Sequence, residues 1–300
     1  MRSDFVQQQN NICDFKSSDS WVILSPIEQS IKRKIEAVGT PLKDWDIQIN
    51  YGIKTGFNDA FIISTEKRNE ILANCKNADE RQRTDELIRP ILRGRDIKRY
   101  IYDWADVWLI NTHNGIKGRL ERIHIEDYPA VKAHLDQFWD KIKDRADQGD
   151  TPYNLRNCAY LEDFYKPKLV WAELSRTGNS FAIDTSKILL GNTGYILTVP
   201  SNNIKELGYI MAFMNSRIVL YQLDRLTTRF DDNGWRWLRQ FVEEIKIPKF
   251  SDNPQISGIA LEASKSNQED ISEQLNNIIS SILGLNEQEL SYINDSLKGY

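Results

Sequence analysis

The sequence predicts a mixed α+β (α/β) fold that ends in a helical C-terminal extension. Three observations carry this. Alternating or apolar runs of strand length recur between Trp45 and Val199, separated by glycine-containing turns. Amphipathic stretches with capping signals stand among them. Beyond Pro248 and Pro254 the pattern turns to acidic, helix-periodic sequence.

The elements follow in order. Residues 1–24, with the polar run from Gln7 to Asn11, read as a connecting segment. Ser25-Pro26-Ile27-Glu28 then supplies an N-cap, a first-turn proline and a capping-box acid. Ile27, Ile31 and Ile35 give that helix one apolar face, and Gly39 and Pro41 end it. Trp45–Asn50 alternates as a half-buried strand, Tyr51–Asn58 is rich in turn residues, and Ala60–Ile63 reads as the next strand. Glu80–Leu92 is polar and helical, and Asp106–Ile110 is a strand. Pro129 opens an expected long helix to about Asp147, with Val131, Leu135, Phe138 and Ile142 on one face. Leu169–Leu174, Ser180–Ile183 and Tyr195–Val199 are three further strands. Asn203 caps an expected helix running to about Leu226, and Trp235–Glu244 is a shorter one. In the extension, Ile271, Leu275, Ile278, Ile279 and Ile282 form a helical stripe, Gly284 closes it, and Asn286 caps a last helix. The resulting division is 1–24, 25–250 and 251–300.

Composition bounds the function without choosing it. The 300 residues are 40% hydrophobic and 27% charged, which suits a globular chain able to bury a core without staples. Cys13, Cys75 and Cys158 are too few and too scattered for a disulfide framework, so the expectation is a reducing cytoplasm. The first residues show no secretory pattern, and no apolar run reaches membrane-spanning length. The net charge of -4 opposes nucleic-acid binding at first sight. Residues 251–300, however, hold eight acids and two lysines, which leaves the first 250 residues at +2. Local clusters must decide.

Several chemistries lack their motifs. There is no Asn/Asp-Pro-Pro-Tyr/Phe loop for flipping an adenine, no Walker loop and no dinucleotide fingerprint. His113, His124 and His134 are not at metal-ligand spacing. Glu244-Ile-Lys246 matches half of a nuclease site, but no strand-borne acid precedes it, and it reads better as a solvated helix end.

Four segments have the chemistry to hold nucleic acid. In Lys54-Thr55-Gly56-Phe57-Asn58, glycine lets backbone amides approach a phosphate, and Asn58 can pair with an adenine edge or fix the loop. A plain hairpin turn explains it equally. Arg89–Tyr100 contains Arg93, Arg95, Lys98 and Arg99 around Gly94, where a bend can present two guanidiniums; an internal Arg95-Asp96 pair or a solvated face is the alternative, and the charge density and central glycine modestly favour binding. Glu173–Asn179 is a polar turn carrying Arg176. Arg217–Arg239 interleaves Arg225, Arg229 and Arg236 with Trp235 and Trp237; the tryptophans read as core anchors.

Gly52–Ile63 and Ile88–Tyr100, followed by Lys168-Leu-Val-Trp171, Tyr209–Arg217 and Phe241–Lys249, resemble the TaqI-like C-terminal specificity domain of adenine-N6 methyltransferases, including type IIG restriction–modification proteins. The resemblance spans residues 25–250. It implies a target-recognition domain for double-stranded DNA. The methyltransferase domain, with its S-adenosylmethionine, would lie in a partner domain or subunit to which residues 1–24 connect. This chain itself would bring no cofactor and no metal. The DNA-binding residues so expected are Lys54, Thr55, Gly56, Asn58, Arg93, Arg95, Lys98, Arg99, Arg176, Arg225, Arg229 and Arg236. Two rivals remain: a specificity subunit docking through helices beyond residue 254, and a nuclease centred on Glu244 and Lys246.

Overall fold

The computed structural model describes residues 24–231, 234–250, 255–263 and 268–298. The expected connecting segment lies, apart from Leu24, outside them. The chain opens with α1 (Pro26–Val38), β1 (Thr40–Pro41) and β2 (Gln48–Tyr51). Next come α2 (Asn58–Phe61), β3 (Ile62–Ser64), α3 (Thr65–Ala73), α4 (Ala78–Leu87), β4 (Ile88–Leu92) and β5 (Val107–Ile110). The short α5 (Pro129–Asp136) and α6 (Trp139–Ile142) lead to β6 (Lys168–Ala172), β7 (Leu174–Ser175), β8 (Phe181–Asp184), β9 (Leu189–Leu190) and β10 (Gly194–Thr198). The described remainder is α7 (Ile204–Met214), α8 (Arg217–Leu226), β11 (Trp235–Arg236), α9 (Arg239–Val242), β12 (Lys246–Ile247), α10 (Gln255–Ala263), α11 (Gln268–Ile282) and α12 (Glu287–Ser296).

Two four-stranded sheets organise these elements. The first has the order β2-β10-β6-β8 and is antiparallel throughout, with Tyr195 opposite Tyr51 and Ile196 opposite Val170. The second has the order β3-β5-β4-β9, and only its β4–β9 pair is parallel. Isolated bridges pair Ile53 with Gly191, just beyond β2 and β9, and Tyr100 with Ala182 of β8.

The first sheet separates two cores, because side chains alternate across a strand. Leu169 and Trp171 of β6, Phe181 of β8 and Leu197 of β10 enter the core shared with α1, α7 and α8. Their neighbours Val170, Ala182 and Ile196 enter the other core, with the second sheet and α5. Burial on both faces explains why β6 is apolar rather than alternating. At its start lies a charge that is fully buried. Lys168 Nζ donates to the Phe164 carbonyl at 2.6 Å and to the Asp184 carboxylate. Asp184 also accepts from the Tyr102 hydroxyl and from Ser186. Burial pushes the lysine's pKa down, while the Lys168 cation and these donors hold Asp184 below the usual carboxylate range despite its burial.

The capping box at Ser25, the Asn203 cap and the Asn286 cap all form as expected. Five expected elements change. The polar helix expected over Glu80–Leu92 ends at Leu87, and Ile88–Leu92 is the strand β4. Ala60 and Phe61 belong to the helical turn α2, because the Thr55 hydroxyl donates to Asn58 Oδ1 at 2.6 Å and closes the loop before them. The helix begun at Pro129 breaks near Phe138, and Arg145 turns inward beyond α6. The helix begun after Asn203 breaks at Asn215. That amide leaves the helix to pair with Phe181: its Nδ2 donates to the carbonyl at 2.9 Å and its Oδ1 accepts from the N–H at 3.1 Å. Ser216 then recaps α8. Finally, Trp235 and Arg236 are strand, paired with Ser175 and Leu174, and only Arg239–Val242 is helical.

The extension closes the first core. Residues Leu207–Met214 of α7 are all buried, since the sheet covers one side and α10 the other. Leu275, Ile279, Leu283 and Ile293 enter the same core. Glu289 accepts from Ser30 and Lys34 of α1 at 2.7 and 2.6 Å. The apolar stripe of the extension therefore packs on this chain's own core, with Leu275 and Ile279 buried and Ile271, Ile278 and Ile282 partly so.

Candidate nucleic-acid interface

The topology gathers distant segments at one rim of the first sheet. β2 and β6 end there and β10 and β8 begin there, because the pairs Tyr51–Tyr195, Ala172–Gly194 and Trp171–Phe181 close their ladders at that end. The connecting loops 52–58, 173–180 and 191–193 consequently lie together. Glycine makes their close approach possible. A Cβ at Gly52 would sit 2.0 Å from the Gly191 carbonyl oxygen, and one at Gly94 would sit 2.5 Å from that of Thr193. The Gly94 N–H donates to Thr193 Oγ1 at 2.7 Å, which brings the 93–95 turn to the same rim. β11 and its neighbours join through β7.

Lys54 stands at the rim with its ammonium 5.7 Å from the Tyr51 ring centre and forms no ion pair among the described residues. Its loop is held from below by Arg145. The buried Arg145 guanidinium donates to the carbonyls of Thr55 at 2.8 Å and Ile142 at 3.1 Å, and also to those of Pro152 and Asn154. It lies 4.6 Å from the Phe61 ring centre. Burial lowers its pKa to about 10, still cationic near neutrality. Thr55 is buried and Asn58 exposed, and each occupies the other through their mutual bond. Gly56 has φ 71°, which glycine adopts without strain.

At the neighbouring turn the internal ion pair is made by Arg93, not Arg95. Arg93 grips Asp96 with two guanidinium bonds of 3.0 and 2.8 Å, and this pairing raises the Arg93 pKa. Arg95 is left exposed, without an ion pair among the described residues. Arg176 is exposed and pairs with Asp231 at 2.8 Å. Arg176 and Arg236 both lie 5.8 Å from the Phe230 ring centre. Arg229 lies 3.9 Å from the Trp235 ring centre and is bonded to Asp224. Trp237, a core anchor as expected, donates through Nε1 to the Gly178 carbonyl.

Three expected residues stand elsewhere. Lys98 pairs with Asp103. Arg225 lies 3.3 Å from the Tyr221 ring centre and reaches Glu28 of α1. Arg99 faces Arg217 and the extension. Glu244 and Lys246, the halves of the nuclease match, pair separately with Lys43 and Glu36 on the surface.

The rim also includes residues that sequence reasoning missed. Tyr51 donates to Glu173 at 2.6 Å; burial and this bond push its pKa up. Tyr195 packs edge-on against it at 4.8 Å. Tyr160, pushed up to about 12 by burial, is hydrogen-bonded to the Tyr51 backbone, and the nearby Asn157, Cys158 and Ala159 line a hollow with the hairpin 114–122. That hollow is about 820 Å³, and the hairpin presents Lys117 and Arg122, neither in an ion pair among the described residues. Gly115 and Gly118, at φ 72° and 76°, shape it. Asn114-Gly-Ile-Lys-Gly-Arg119, two glycines around a cation, was a readable signal of the same kind as Lys54–Gly56.

Comparison with known proteins sets this arrangement in context. Residues 89–247 match the model of the TaqI-like C-terminal specificity domain. The fold is similar to that of the type IIL restriction–modification enzyme MmeI, solved in complex with DNA, with TM-score 0.56 and 13% identity. It is also similar to the type IIG restriction endonuclease BpuSI, with TM-score 0.50 and 12% identity. The alignments cover 85% and 86% of this chain but only 36% and 33% of those proteins, so it spans about a third of their length.

Proposed function

Because the chain belongs to the TaqI-like C-terminal specificity domain family, we propose that it is the DNA target-recognition module of a restriction–modification adenine-N6 methyltransferase and has no catalytic centre of its own. The observation that carries this reading is the rim. Loops from five regions of the sequence meet there and present Lys54 and Arg95 outward, with Arg176 and Arg236 beside them. Lysine and arginine at such a rim neutralise phosphates and fix register, and the exposed Asn58, its Oδ1 held by Thr55, still has its amide Nδ2 to donate to a base edge. The rigid sheet below keeps these loops in a fixed geometry. S-adenosylmethionine would belong to the methyltransferase domain or subunit that acts with this chain, since the sequence has neither the glycine-rich turn nor the adenine-gripping loop.

Fluorescence anisotropy with a mixed-sequence duplex tests the reading, on this chain alone and with a methyltransferase domain. Binding should weaken with salt, and Lys54→Gln and Arg95→Gln should each reduce the log–log salt slope by about 0.9. Wild-type slopes in both variants would remove the rim from the interface. No binding at low salt in either format would sink the reading altogether.

A further inference from the structure

Arg99 and Arg217 form no ion pair among the described residues. Arg99 leaves the turn after β4, and Arg217 begins α8. Together they line a cleft of about 700 Å³ whose far wall is α11 and α12. A second hollow of about 510 Å³ shares Arg99, Arg217 and Asn294 and reaches Thr177 and Gly178 on the rim loop. The two hollows thus form one trough from the rim to the extension. Arg99 is half-buried and forms no ion pair among the described residues. Burial, and to a lesser degree the Arg217 charge, lowers its pKa. Arg217 donates to Asn294 Oδ1 at 3.0 Å, a neutral partner. Glu273 lines the trough but pairs with neither guanidinium, and Lys298 is held by Asp295. Two like charges facing each other, with no ion-paired counter-charge among the described residues, disfavour the unliganded state. A tetrahedral anion with several acceptor oxygens would relieve the repulsion and match two guanidinium forks.

We infer that this trough is a phosphate-binding site that seats a backbone phosphate of DNA leaving the rim. The source of the phosphate rests on the function proposed above; the site itself does not. A phosphate there would touch both the body and the extension, so binding would couple the acidic helices to the DNA. The charge distribution favours this as well. The extension is acidic overall, yet the wall it lends to the trough is mainly amide and hydroxyl, from Asn276, Asn277, Asn294 and Ser280.

Two measurements on the full 300-residue chain test it, with Arg99→Gln, Arg217→Gln and a control, Arg33→Gln on the exposed face of α1. Inorganic phosphate replacing chloride at constant ionic strength should raise the wild-type melting temperature by about 2 °C. The shift should vanish in both trough variants and persist in the control. In duplex binding, each trough variant should lower the salt slope by about 0.9. A phosphate shift lost in the variants with an unchanged slope assigns the site to a free phosphoanion and overturns the DNA source. A reduced slope without a phosphate shift supports the backbone phosphate. If wild type binds no duplex, the recognition reading fails and the phosphate shift alone decides the site. Absence of both effects, or equal effects in variants and control, overturns the inference. Circular dichroism identifies a variant that does not fold, and the other then carries the test.

Discussion

Replacing Arg145 by methionine should loosen the Lys54 loop and cost a large part of the stability. The side chain is 7% exposed, and its guanidinium serves four carbonyls from three segments. Hydrogen bonds to charged groups contribute about 1.5–3 kcal/mol each, so the gross contribution is on the order of 6–12 kcal/mol. Against this stands the desolvation of the cation, several kcal/mol. Methionine keeps the aliphatic stem but is shorter, loses the guanidinium that lies over Phe61 and leaves four carbonyls without that donor. The net loss should be about 3–5 kcal/mol, the range for breaking a buried charged network. With a urea m-value near 3 kcal/mol/M, the unfolding midpoint should fall by about 1–1.7 M. Amide exchange should rise in the loop 52–58. Arg145→Lys should recover only part of the loss, because an ammonium has three donors and no planar fork. A methionine variant with a midpoint within about 0.3 M of wild type would falsify the claim that this side chain holds the loop.

Two further expectations concern buried charge. Lys168→Met strands the Asp184 carboxylate and should cost about 3–5 kcal/mol by chemical denaturation, whereas adding Asp184→Leu should restore part of it; a double variant no better than the single one contradicts the pairing. His134 is 5% exposed, shares a 2.9 Å hydrogen bond with the Ala60 carbonyl through Nε2, and has its pKa lowered by burial. Between the lowered folded value and the unfolded value of 6.5 the unfolded state binds more protons, so stability should fall as pH drops below 6.5. The slope from this residue is at most about 1.4 kcal/mol per pH unit, and His134→Gln should flatten it; an unchanged profile refutes the assignment.

Much of the fold was legible because it is encoded locally. The α1 capping box, the glycine stop of α11 and the strands between Val107 and Thr198 depend on residues a few positions apart. Two of the errors share a cause. Asn215 breaks a helix to satisfy Phe181, and Trp235 joins β7, so in both cases a partner far along the chain overrode helical periodicity. The candidate site divides in the same way. Lys54, Arg95 and Arg176 were visible as cations beside glycine. The roles of Arg145, Tyr51 and Glu173 were not, since each depends on a contact between residues far apart in the chain, Arg145 with Thr55 and Tyr51 with Glu173.

By itself, the sequence determined the mixed α+β class, the capped helices, the acidic extension and the presence of basic turns. Those properties follow from side-chain periodicity, capping and composition. Only the tertiary structure decided which basic turns share a surface. It placed Lys54 and Arg95 on one rim and locked Arg93 onto Asp96. It turned Arg225 toward α1 and Arg99 toward Arg217 and the extension. The reason is that sheet register and close glycine contacts, at Gly52 against Gly191 and at Gly94 against Thr193, set which loops meet. That information lies in pairs of segments and not in any one of them.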